Sequence, residues 1–109
     1  MKVFKFGGAS IKDAPSIKNI LEIISKYEKD NLVIVVSAMG KTTNALEKVV
    51  DSYFNDKTQL QSSISDVFNF HINILNNLFE KNHFIFSELN TSFEKLGSFI
   101  KSNKSPSYS

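Results

Sequence analysis

The hydrophobic pattern changes character along the chain. Val3 to Phe6 is a short apolar run broken by Lys5, and Leu32 to Val36 is an uninterrupted, mostly β-branched one. The first predicts a short buried strand, and the second has the pattern of a strand buried on both faces. Between them Ile17, Ile20, Leu21, Ile24 and Tyr27 recur at helical spacing and define one apolar face. Asp13-Ala14-Pro15 starts that helix, with Asp as N-cap and Pro in the first turn, and "EKDN" ends it. After the polar loop "SAMGKTTN", Leu46, Val49, Val50, Tyr53 and Phe54 mark a second amphipathic helix. From Leu60 to Phe79 the spacing predicts one long helix. "EKNH" breaks it, and Phe86 to Ile100 predicts another, so the pair forms an αα-hairpin.

A helix between two buried strands predicts a right-handed parallel βαβ unit. The loops after both strands, "GGAS" and "SAMGKTTN", then lie at the same edge of the sheet. Ligands of open α/β sheets bind at the carboxyl ends of strands. Two strands do not make a stable sheet, and strands apolar on both faces require more neighbours. The expected fold class is therefore α/β, with the chain forming the opening part of a larger domain. The other reading is a small α/β protein that pairs with a partner.

Composition narrows the functions. The chain has 109 residues, 41% of them hydrophobic, and a net charge of +2. That charge is too mild to argue for nucleic acid. No apolar run reaches the ~20 residues of a bilayer span, and "MKVFKFGG" has no signal-peptide core. A soluble cytoplasmic protein with neither nucleic-acid nor membrane partners is expected. There is no cysteine, hence no disulfide framework. All 13 basic residues are lysine, so a planar arginine fork for carboxylate or phosphate is absent.

Two segments carry candidate chemistry. In Lys5-Phe6-Gly7-Gly8-Ala9-Ser10, a Gly-Gly strand end can gather successive N–H groups into an anion-binding nest. Lys5 can bring a mobile charge to it, as transfer of a phosphoryl group requires. A tight strand-to-helix turn beside a snorkelling lysine accounts for the same residues. In Ser37-Ala38-Met39-Gly40-Lys41-Thr42-Thr43-Asn44, "GKT" invites a P-loop assignment. That motif needs a glycine where Val35 stands, so it is rejected. Hydroxyls and backbone donors at a strand end remain, with Thr42 or Thr43 as an N-cap. His71 and His83, the two histidines, lack partners at metal-ligand spacing and are assigned to packing or solvent.

"KFGGAS" followed by "VVSAMGKTTN" resembles the N-terminus of aspartate kinases, members of the amino acid kinase superfamily. The resemblance implies a three-layer αβα sandwich, of which residues 1–57 would be the βαβα start and 58–102 a helical hairpin inserted over the substrate site. Residues 103–109 would be a polar, truncated tail. It implies transfer of the γ-phosphoryl of ATP, as its Mg2+ complex, to the side-chain carboxylate of L-aspartate, which opens lysine, threonine and methionine biosynthesis. No cofactor is implied to be held by this chain. Lys5 aligns with the catalytic lysine; Gly7, Gly8, Ala9 and Ser10 with the phosphate-binding turn; Ser37 and Thr43 with hydroxyls of the aspartate site. Ala9 stands where the family usually has threonine. The rest of the kinase domain and regulatory ACT domains would lie outside the chain, and the complete enzyme would be a homo-oligomer. Other superfamily kinases, or a non-enzymatic interaction module, are the alternatives.

Overall fold

The computed structural model describes residues 1–102; the expected tail at 103–109 lies outside the described residues. The elements are β1 (Lys2–Phe6), a short 3-10 turn (Gly8–Ile11), α1 (Ala14–Ser25), β2 (Leu32–Val36), α2 (Thr42–Asn55), a second 3-10 turn (Lys57–Gln59), α3 (Leu60–Leu78) and α4 (Phe84–Ser102). The chain divides into two compact units, Met1–Asn44 and the residues from Ala45 onward.

In the first unit β1 and β2 form a two-stranded parallel sheet, with Lys2 opposite Leu32 and Phe6 opposite Val36. The expected βαβ unit is present. Its ends are tied by Lys2 N–H to Asn31 O at 2.8 Å and Ser37 N–H to Phe6 O at 3.1 Å. Side chains alternate across a strand, so Phe4 and Phe6 share one face. There they meet α1, and Phe6, Ile11 and Ile20 form a small core flanked by Ile17, Ile24 and Met39. α1 starts as its sequence dictates. Asp13 is the N-cap, its carboxylate accepts from Ser16 N–H at 2.9 Å, and a proline occupies the first turn. Hydrogen bonds from the Ser16 side chain and backbone, reinforced by the Lys12 charge, hold the Asp13 carboxyl below its ordinary value of 3.8.

Three expectations about this unit need correction. β1 is not buried along its length: Phe6 is buried, whereas Lys2, Val3 and Lys5 are exposed, because α1 covers one face of the strand. Tyr27 lies beyond the end of α1, in the turn that follows. It still serves the same face, because its ring packs against Phe4 at 5.1 Å and takes the Lys2 ammonium over it. β2 is not buried on both faces. Val33, Ile34, Val35 and Val36 are 42%, 43%, 45% and 60% exposed. The reason is geometric: among the described residues β2 has a single strand neighbour, β1, and α1 packs against the β1 side chains.

In the second unit α3 and α4 form the expected hairpin, with Phe68 edge-on to Phe93 at 5.2 Å. Val49, Val67 and Ile74 are buried. Ser52 of α2 and Ser63 of α3 hydrogen-bond through their hydroxyls at 3.0 Å, which fixes the register of that pair. Leu46, expected on the apolar face of α2, is 41% exposed. Among the described residues no helix is long and apolar enough to cross a membrane.

Candidate active site at the strand ends

β1 and β2 run parallel and end in register. Gly7 and Ser37 therefore leave the sheet at the same edge, and the two loops that follow meet there. Gly40 N–H donates to Gly8 O at 3.2 Å. A Cβ built on Gly8 would stand 2.7 Å from Gly40 O and 3.3 Å from Ala38 O. Gly8 is thus a glycine because the other loop passes against its α-carbon. Gly40 supplies the matching bend, with φ 55, where a side chain would be strained. Neither Gly7 nor Gly8 has a positive φ. At Gly8 the missing side chain lets two backbones approach.

Gly7 differs from its neighbour. Nothing lies within 4 Å of the Cβ position there. Gly7 is extended, at φ −81 and ψ 177. Its carbonyl accepts from Ser10 N–H at 3.0 Å, which closes the 3-10 turn. Its own N–H makes no hydrogen bond among the described residues. Ala9 and Ser10 are exposed on this turn. Ala9 brings only backbone to the site, and the Ser10 hydroxyl has no partner among the described residues.

Lys5 is exposed, not buried. It lies on the sheet face opposite Phe4 and Phe6, directly across from Val35. Among the described residues it makes no ion pair. The tension of a charged residue inside a strand is resolved by the open face on which it lies. Ser37 is exposed; its backbone is bonded to Phe6 and its hydroxyl donates to Ala38 O at 3.3 Å. Thr43 is exposed in the first turn of α2. Thr42 is the buried member of the pair, 7% exposed. Its hydroxyl donates to Met39 O, and so does its N–H, at 3.1 Å. Thr42 therefore closes the loop as a donor, where an N-cap would accept.

The structure brings Gly8 against the Ala38–Gly40 loop and places Gly7 and Ser37 side by side at the strand ends. It shows no direct contact between Thr43 and the glycine turn. Gly40 and Met39 are structural parts of the site that sequence reasoning did not single out. The signal for Gly40 was a lone glycine between two polar-loop residues, and for Met39 an apolar residue inside a polar loop.

The first 93 residues match the profile of the amino acid kinase family. The chain belongs to the amino acid kinase family. Aspartokinase 1, chloroplastic, of Arabidopsis thaliana is 35% identical over 80 residues, covering 70% of this chain and 14% of that protein. Aspartokinase 2, chloroplastic, of the same plant is 48% identical over 46 residues, covering 42% of this chain and 8% of that protein. The bifunctional aspartokinase/homoserine dehydrogenase of Buchnera aphidicola is 30% identical over 78 residues, covering 71% of this chain and 9% of that protein. The chain thus spans between 8% and 14% of the length of these family members.

Proposed function

We propose that this chain forms the phosphoryl-transfer corner of an aspartate kinase, acting on L-aspartate with ATP as its Mg2+ complex. The observation that carries the reading is the locking of the two strand-end loops, through Gly40 N–H to Gly8 O and the close approach at the Gly8 α-carbon. It sets the Gly7 turn beside the Ser37 loop at a parallel sheet edge, where such sheets bind ligands.

In this reading the side-chain carboxylate of aspartate attacks the γ-phosphorus. The bond from that phosphorus to the β,γ-bridging oxygen breaks, and ADP leaves. The Lys5 ammonium, unpaired among the described residues, stabilises charge on the equatorial oxygens. The open space at Gly7 admits a phosphate oxygen to its free N–H, while Gly8, Ala9 and Ser10 shape the turn and Ser10 adds a hydroxyl. Ser37 and Thr43 offer their hydroxyls to aspartate. The chain has no arginine, so a bidentate clamp on the α-carboxylate must come from other residues. The βαβα start at 1–57 and the hairpin at 58–102 act as parts of one kinase domain. The complete enzyme adds ACT domains and is a homo-oligomer. The cytoplasm is the proposed compartment, and two relatives bear a chloroplastic designation in their names.

Both substrates must be positioned for phosphoryl transfer, which is most of its catalysis. This chain alone is therefore expected to be inert. The test joins it to the remaining length of a related aspartokinase and measures ADP release with aspartate. Lys5→Ala should lower kcat by roughly 10²–10³-fold. Turnover that is indifferent to Lys5→Ala would overturn the assignment. Turnover by the 109-residue chain alone, abolished by the same change, would overturn its inertness.

A further inference from the structure

The two histidines hold opposite tautomers. His71 Nδ1 lies 2.8 Å from Val67 O. A carbonyl only accepts, so this nitrogen carries the proton. His83 Nδ1 lies 3.1 Å from Ile85 N. A backbone N–H only donates, so this nitrogen is bare and the neutral ring has its proton on Nε2.

His83 immediately precedes α4 and bonds the N–H of the second helical residue. That is the task of an N-cap, usually done by Ser, Thr, Asp or Asn. The ring is held in place by Phe79 and Phe84, each at 4.5 Å between centroids. The backbone is held too: His83 N–H donates to Glu80 O at 2.9 Å, and Phe86 N–H donates to His83 O at 3.3 Å. Unlike the usual caps, an imidazole can lose its acceptor by taking up a proton. Protonated Nδ1 would face the Ile85 N–H donor to donor, and the new charge would sit at the positive end of the α4 dipole. His71 takes its second proton on Nε2 and keeps its bond to Val67 O.

We propose that His83 is a proton-sensitive cap, which holds the first turn of α4 while neutral and releases it when protonated, His71 being indifferent. The nearby charged groups are Glu80 and Lys81 in the connecting turn and Glu88 one turn into α4. None forms an ion pair with His83 among the described residues. The charged residue of α3 is Asp66, far from the helix end that meets this turn. The inference is independent of the kinase reading.

NMR on the intact chain tests it. Ring-nitrogen shifts near pH ~8, where imidazole is neutral, should report the Nε2–H tautomer at His83 and the Nδ1–H tautomer at His71. Hydrogen-exchange protection of the Ile85 amide, corrected for intrinsic rate, should fall roughly fivefold between pH ~8 and pH ~5, the range across which imidazole titrates. His83→Asn, whose side-chain oxygen accepts without titrating, should remove that fall, and His71→Gln should retain it. An Nδ1–H tautomer at His83, unchanged protection in the unaltered chain, or a fall that survives in His83→Asn would each overturn the proposal. The tautomer measurement needs no variant, so it decides even if a substitution unfolds the chain.

Discussion

The two faces of the β1–β2 sheet are made by the same ten residues, yet the chain treats them differently. On one face Phe4 and Phe6 meet α1, and Phe6, Ile11 and Ile20 are 9%, 7% and 7% exposed. On the other, Val3, Lys5, Val33 and Val35 have no such cover, and the three valines are 62%, 42% and 45% exposed. The covered face is itself finished only over β1, because Ile34 and Val36 share it and remain 43% and 60% exposed. Burying a valine or isoleucine side chain is worth about 1.5–3 kcal/mol. The corresponding gain is nearly complete at Phe6, 9% exposed, and only partial at Val33, 42% exposed. The difference separates residues that hold this chain together from residues of strand type whose burial it does not supply. Lys5 belongs to the second group and is exposed on the same open face.

The largest effect is expected from removing the ring that anchors the covered face. Phe6→Ala should cost about 3–5 kcal/mol, read as a lower urea midpoint and lost protection of the β1 amides. If it proves as mild as a change on the open face, the distinction fails. Gly8→Ala comes next. Its methyl would meet the Gly40 carbonyl at 2.7 Å, and backbone cannot yield as a side-chain tip does, so a loss of about 1–3 kcal/mol is expected. Gly7→Ala, with open space around it, is the control and should leave the urea midpoint nearly unchanged.

A smaller effect separates the cap of α1 from the packing of its apolar side. Asp13 is held below its ordinary value by bonds that form only when the chain is folded. Its contribution is present above 3.8, the unfolded value, and is lost as pH falls through the lower folded value. Asp13→Asn keeps a capping oxygen but cannot titrate. Its thermal midpoint should fall less than that of the parent chain between neutral pH and strong acid. An identical fall in both would remove Asp13 from the account. The smallest change is expected from Val33→Thr on the open face, within about 0.5 kcal/mol. A larger loss would mean that this face has cover in solution.

Much of this arrangement was legible beforehand where the determining interactions are local. The bounds of β2, the Asp13 cap with its proline and the turn at Glu80–His83 each depend on residues within one turn of one another. Tyr27 shows where that legibility stops. Its helical spacing was a good guide to the face it serves and a poor one to the end of α1, because the chain can hold a ring against Phe4 from a turn as well as from a helix. Gly8 shows the same limit more plainly. The sequence marks a place where a backbone bends or is approached, but whether the cause is a left-handed step or a neighbour 2.7 Å away depends on a loop some thirty positions later.

The hydrophobic pattern and its caps did not suffice for the two 3-10 turns, but they did for the order and type of the strands and α-helices, the parallel βαβ plan and the two loops at one sheet edge. These follow from periodicity, caps and the geometry of parallel connections, all of which act at short range. Tertiary structure alone decided that Gly8 and Gly40 interlock and that Lys5 lies on an uncovered face. It also decided that Thr42 donates where a cap would accept, and that the two histidines carry their protons on different nitrogens. Those outcomes depend on which distant or facing atom occupies the neighbouring volume, and hydrogen-bond chemistry then fixes the rest: a carbonyl demands a donor and an N–H demands an acceptor.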